Sequence, residues 1–125
     1  MQPLHINIEQ DTLNNPYYRM VIHTTPHSQV ALMNIPPGAD VERETHNGDQ
    51  FTRIESGNGI IELNKVPHIL QDGVSVSIPA GTEHYILNTG NAPLKLYTIY
   101  SPPQDSPTRI EGWDEINKKP VILRD

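Results

Sequence analysis

The sequence predicts an all-β single domain, a sandwich or barrel of antiparallel strands, on three observations. Strand-like segments recur about every ten residues between Ser28 and Tyr100, with turn chemistry between them. Twelve Pro and eight Gly punctuate a chain with few long apolar runs, which fits many short elements better than a helical bundle. A length of 125 residues suits one hydrophobic core and leaves no room for a second domain. The expected organisation is a barrel over about 28–101, preceded by an edge-strand segment over 1–27 and followed by a tail over 102–125.

Residues 1–26 are polar and irregular, with a turn at Asn14-Asn15-Pro16 and then Tyr17–His23, whose weak alternation suits an edge strand. SQVALMNI puts Ala31, Met33 and Ile35 on one face, and Pro36-Pro37-Gly38 ends it. Strands are expected at Val41–His46 and Gln50–Glu55, joined at Asn47-Gly48, a dipeptide that tolerates the left-handed backbone of a tight turn. In the second of these, Gln50, Thr52 and Ile54 share the inner face; Arg53 on the outer face is left to an acidic neighbour or a subunit interface.

Ser56-Gly57-Asn58-Gly59 turns the chain into IIELN, and a short connection is read at Val66-Pro67-His68. VSVSI aligns Val74, Val76 and Ile78, His84–Leu87 follows, and in LKLYTIY the apolar balance turns Leu94, Leu96, Thr98 and Tyr100 inward. Beyond Ser101, EGWDEINKK offers one or two helical turns. Trp113, the only Trp, is expected to pin this tail onto the domain.

Charge and composition exclude several classes of function. Nine Lys and Arg against fifteen Asp and Glu give a net charge of −6 with no basic stripe, so neither nucleic acid nor an anionic membrane is an expected partner. The absence of cysteine rules out a disulfide framework, a thiolate metal site and a cysteine nucleophile, and fits a reducing compartment. MQPLHINIEQD is not a secretory leader, so a cytoplasmic protein is expected. No phosphate-binding loop, dinucleotide fingerprint, nucleophile elbow or zincin helix is present.

Two spacing patterns carry chemistry. Gly38 is followed after five residues by Glu44, then by His46, Gln50 and Gly57; Gly73 is followed after five residues by Pro79, then by Gly81, His84 and Asn88. Residues two apart on a strand face one side, so Glu44 and His46 point together and the turn at Asn47-Gly48 brings Gln50 back beside them. His84 arrives from another hairpin, aimed by Pro79-Ala80-Gly81. Two imidazoles, one carboxylate and one amide oxygen form a plausible shell for one divalent metal ion, with Mn, Fe, Ni and Zn all compatible. His5, His23, His27 and His68 lie outside these patterns and read as structural or surface residues.

Both patterns resemble the two signature motifs of the cupin superfamily, Gly-x5-His-x-His-x3/4-Glu-x6-Gly and Gly-x5-Pro-x-Gly-x2-His-x3-Asn. The spacings agree, while Glu44 stands where the first histidine is usual and Gln50 where the glutamate is usual. Through DQFTRIESGNG, IPAGTEHYILNTG and PLKLYTIYSPP, the chain is most similar to small single-domain cupins of the mannose-6-phosphate-isomerase-like type. This resemblance implies a jelly-roll-like barrel of two packed sheets and a homodimer. It further implies a metal centre at Glu44, His46, Gln50 and His84 that serves a small-molecule ligand; strand alternation, which turns Thr52 and Tyr100 inward, makes them the candidate ligand contacts.

Three functions are compatible with such a centre. One is isomerase- or epimerase-like chemistry on a small polar substrate such as a sugar or sugar acid. Another is non-haem-metal dioxygenase chemistry, which the count of two histidines and one carboxylate allows. The third is non-catalytic binding of a small ligand, which an amide at position 50 favours.

Overall fold

The computed structural model describes residues 2–125; Met1, the first residue of the expected 1–27 segment, lies outside them. A short helix, α1 (Ile8–Asn14), precedes eleven strands: β1 (Arg19–Thr24), β2 (Gln29–Ile35), β3 (Asp40–Glu44), β4 (Asp49–Ser56), β5 (Gly59–Leu63), β6 (Val66–Leu70), β7 (Ser75–Ile78), β8 (His84–Asn88), β9 (Leu94–Ser101), β10 (Ile110–Asp114) and β11 (Lys119–Arg124). They form a seven-stranded sheet, ordered β11-β10-β1-β2-β9-β4-β7, and a four-stranded sheet, ordered β3-β8-β5-β6, with antiparallel pairing throughout. The architecture is therefore all-β and jelly-roll-like, as two sheets with free edges rather than one closed barrel.

One core joins the sheets. Met33, Ile35, Ile54, Ile78, Leu94 and Leu96 from the large sheet pack with Val41, Ile61, Leu70 and Ile86 from the small one. Strict alternation sets this up: along β4, Gln50, Thr52 and Ile54 are buried while Asp49, Phe51 and Arg53 are exposed, and β9 buries Leu94, Leu96, Thr98 and Tyr100. Outside, Arg53 pairs with Glu55.

Several expectations are corrected. Tyr17–His23 is not an edge: β1 lies between β2 and β10, because the tail folds back and pairs Arg19 with Glu111 and Met20 with Ile110. That tail is a β-hairpin rather than helical turns. Asp114 Oδ1 accepts the backbone N–H groups of Ile116 and Asn117, at 2.9 and 3.1 Å, and so satisfies a tight turn instead of a helix start. Trp113 does pin the tail, stacking on Tyr18 with ring centroids 5.4 Å apart.

Residues 66–68 belong to strand β6, reached from β5 through Asn64 and Lys65, both at positive φ (49° and 68°). Pro67 is tolerated because β6 is an edge strand. The irregular N-terminus contains α1, capped by Asn7, whose side chain accepts Gln10 N–H at 3.0 Å, and carrying Glu9 and Asp11 in its first turn. Gly48 is required by close approach and not by φ: a Cβ there would lie 2.6 Å from the Ser101 carbonyl oxygen.

Candidate metal centre and adjoining cavity

The elements that hold the histidines are locked together. Thr82 N–H bonds the Pro79 carbonyl at 3.1 Å with Gly81 at φ 83°, the hydrogen bond and glycine position of a type II turn. Gly81 N–H then bonds the His46 carbonyl at 2.9 Å, and Ala80 N–H bonds Asp49 Oδ1 at 2.9 Å. The turn before His84 is thus fastened on both sides of the β3–β4 connection. The two imidazole rings consequently lie 5.1 Å apart, tilted 50° to each other.

Each histidine is oriented to offer a ring nitrogen. His84 is 3% exposed, and its Nδ1 lies 3.0 Å from the Thr82 carbonyl. A carbonyl can only accept, so Nδ1 carries a proton, which in the neutral ring puts the lone pair on Nε2. For His46, burial holds the pKa below the ordinary histidine value; nearby Glu44 opposes this, while His84 and Arg19 reinforce it.

Gln50 presents an oxygen that nothing in the protein satisfies. The Thr98 hydroxyl donates to the Phe51 carbonyl at 3.1 Å, so in its 2.9 Å bond with Thr52 it must accept. Thr52 therefore donates to Thr98 and accepts from Gln50 Nε2 at 3.3 Å. This relay fixes the amide orientation and leaves Oε1, enclosed in a residue only 8% exposed, without a donor. Gln50 pairs with Tyr100 across β4 and β9, and the Tyr100 ring meets His46 edge-on at 5.8 Å.

Glu44 ends β3 directly opposite His84, and its Oε2 stands 3.6 Å from His46 Nε2. The side chain is 38% exposed, so it forms the wet side of the centre. Among the described residues, no three His, Cys, Asp or Glu side chains are grouped to hold a metal ion. What the fold brings together is an imidazole pair with Glu44 against one ring; the orphaned amide oxygen projects from the neighbouring strand. Thr52, expected as a ligand contact, is fully enclosed, and its hydroxyl serves to orient Gln50. Tyr100 is 3% exposed and accepts a hydrogen bond from Arg19 Nη1. Burial pushes its phenol pKa up, against the pull of Arg19, so the phenol stays neutral.

A cavity of about 300 Å3 adjoins Glu44, walled by β1, β3 and the C-terminal segment. Its main residues, Arg19, Asp105, Arg109 and Glu111, were not singled out from the sequence. Arg19 is buried, and burial opposes its charge, but Tyr100, Asp105 and Glu111 outweigh that and hold its pKa raised. No local signal marks these residues, because they meet only when the tail pairs with β1.

Residues 31–100 match the cupin domain family, Cupin_2, and the chain belongs to that family. Among individual proteins, it is 46% identical over 111 residues to the uncharacterised protein L612 of Acanthamoeba polyphaga mimivirus, covering 85% of this chain and 69% of that one. The uncharacterised YrkC of Bacillus subtilis (strain 168) is 43% identical over 109 residues, covering 82% of this chain; the chain spans only 59% of YrkC. The crystal structure of BH2720 from Bacillus halodurans superposes with a TM-score of 0.85 at 40% identity, covering 87% of this chain and 88% of that one. KdgF from Halomonas sp. shares the fold, with a TM-score of 0.68 at 22% identity over 84% of this chain and 97% of that chain.

Proposed function

We propose that this cupin holds one divalent metal ion at His46, His84, Gln50 and Glu44 and acts on a small polar molecule, such as a sugar or sugar acid, by isomerase- or epimerase-like chemistry. The observation that carries the reading is Gln50 Oε1, a buried acceptor aimed away from its only partner and left without a donor. Natural proteins rarely leave such an atom unsatisfied unless something else satisfies it. Gln50 pairs across the sheet with Tyr100, whose ring meets His46, and the imidazole pair of His46 and His84 is what a borderline metal such as Fe, Ni or Zn takes. We further place the chain with the mannose-6-phosphate-isomerase-like cupins, on its motif segments.

A bound ion would polarise a carbonyl and hydroxyl pair, easing proton transfer at the adjacent carbon. The chain supplies the rest. His84 is held by Thr82 in the tautomer that offers Nε2, and Thr52 and Thr98 hold the Gln50 oxygen in place. Glu44, exposed toward the cavity, is the side chain placed to take a proton from a molecule bound there.

Metal analysis of protein purified without chelator tests this, comparing the wild type with Glu44→Ala and His84→Ala. Each variant should retain well under half the wild-type metal; unchanged stoichiometry in both removes the metal-centred reading. One observation favours a second reading, non-catalytic ligand binding: among the described residues no three His, Asp or Glu side chains are arranged to hold a metal ion. Under it, wild-type protein carries no metal and Gln50 Oε1 accepts a hydrogen bond from the ligand.

A further inference from the structure

The cavity beside Glu44 has two polar groups that the protein places but does not satisfy. The Arg19 side chain is only 10% exposed, yet among the described residues its guanidinium makes a single hydrogen bond, to the Tyr100 hydroxyl. Asp105 Oδ2 at 3.5 Å and Glu111 Oε1 at 3.4 Å lie within ion-pair reach without completing hydrogen bonds. A guanidinium carries five N–H donors, so most of these have no protein acceptor.

Asp105 Oδ2 is enclosed beside Arg19 and accepts no hydrogen bond; the side chain is 19% exposed, so its other oxygen, Oδ1, which among the described residues also accepts none, is the one open to the cavity. Asp105 is not a loose residue: the fully buried Gln29 side chain takes its backbone N–H at 2.9 Å and donates to its carbonyl at 2.9 Å. A donor-rich cation and an acceptor-only oxygen are thus fixed side by side in one cavity wall.

The charge of the walls narrows what fits. Arg19 and Arg109 face Glu42, Glu44, Asp105 and Glu111, so carboxylates outnumber guanidinium groups two to one. Even with Glu44 committed to a metal ion, Glu42, Asp105 and Glu111 outnumber Arg19 and Arg109 three to two, so a ligand carboxylate set against Asp105 would meet repulsion in a partly desolvated space. An ammonium would meet the open donors of Arg19, which it cannot accept. A hydroxyl both accepts and donates, so it answers Arg19 and Asp105 together. At about 300 Å3, the volume sits at the low end for small-ligand pockets.

We propose that this cavity selects an uncharged, polyhydroxylated small molecule, with Arg19 donating to and Asp105 accepting from its hydroxyl groups, and that it rejects the corresponding acids. The proposal rests on the reading that the His46–His84 centre acts on a ligand bound beside Glu44, and it narrows that reading to neutral sugars.

The test is calorimetric titration of the full chain with two matched pairs, D-xylose against D-xylonate and D-glucose against D-gluconate, with metal content measured on every sample. At least one neutral sugar should bind, and at least tenfold more tightly than its acid. Asp105→Asn should weaken that binding at least fivefold without changing metal content. An acid that binds as well as its sugar, absence of binding by all four compounds, or an Asp105→Asn protein with wild-type affinity overturns the proposal. The wild-type comparison decides even if the variant does not fold. Metal retained with no preference refutes the cavity assignment alone; preference intact without metal refutes the metal reading alone.

Discussion

Replacing Gln50 by glutamate separates a metal centre from a merely polar pocket. The substitution keeps the shape of the side chain and puts a carboxylate where the amide is 8% exposed. In chelated protein, the nearest donor to the new group is the Thr52 hydroxyl, which already donates to Thr98 in the relay that ends on the Phe51 carbonyl. Either that relay breaks or the carboxyl keeps a proton. Leaving one such charged group poorly satisfied costs about 2 to 3 kcal/mol, which lowers Tm by roughly 10 °C in a domain of this size.

The sign with pH follows from burial. A carboxyl whose folded-state pKa is raised binds a proton that the unfolded chain releases, so the chelated variant loses stability as pH rises above about 4.3. A divalent ion at about 100 times its Kd returns about 2.7 kcal/mol, and exchanging a neutral oxygen for an anionic one should tighten binding at least tenfold. Differential scanning calorimetry of chelated and loaded samples reads both effects. Equal Tm for chelated wild type and variant, or no gain on loading either, refutes the argument.

Two further outcomes follow. Gln29→Ala removes a fully buried amide that also accepts Gln104 N–H at 3.1 Å and donates to Thr24 Oγ1 at 2.9 Å; it should cost about 3 to 5 kcal/mol, with faster hydrogen exchange at the 104 and 105 amides. Wild-type exchange there would show that the clamp is redundant. In chelated protein, the lowered pKa of His46, due first to burial, means that the unfolded chain binds a proton the folded one refuses. That contribution is complete above about pH 6.5 and fades as pH falls below it, with a slope under about 1.4 kcal/mol per pH unit. Urea titrations between pH 7 and 5 should show a shallower slope for His46→Asn, and parallel slopes would count against the assignment.

The parts of the structure legible in the sequence are those set by short-range pattern. Alternation along β4 and β9 placed Gln50, Thr52, Ile54, Leu96 and Tyr100 inward, and motif spacing brought the His46 and His84 rings within 5.1 Å of each other. What was not legible depends on partners far along the chain. EGWDEINKK reads as a helical turn until Asp114 closes a hairpin turn and Trp113 finds Tyr18. Helix α1 is seven residues long, too short to show a period. Arg19 is an ordinary strand residue until the tail surrounds it with Asp105 and Glu111.

The continuation of the large sheet by β10 and β11 sets the flanks of the chain beside the family stretch. Both histidines fall within the stretch of 31–100 that defines the family, whereas Arg19, Asp105, Arg109 and Glu111 all come from the flanks. Under the proposed assignment, substitutions at Asp105, Arg109 or Glu111 alter the cavity walls without touching the imidazole pair, whereas Arg19 links the two through Tyr100 and His46. The flanks, more than the middle, are therefore the place to compare relatives of this chain.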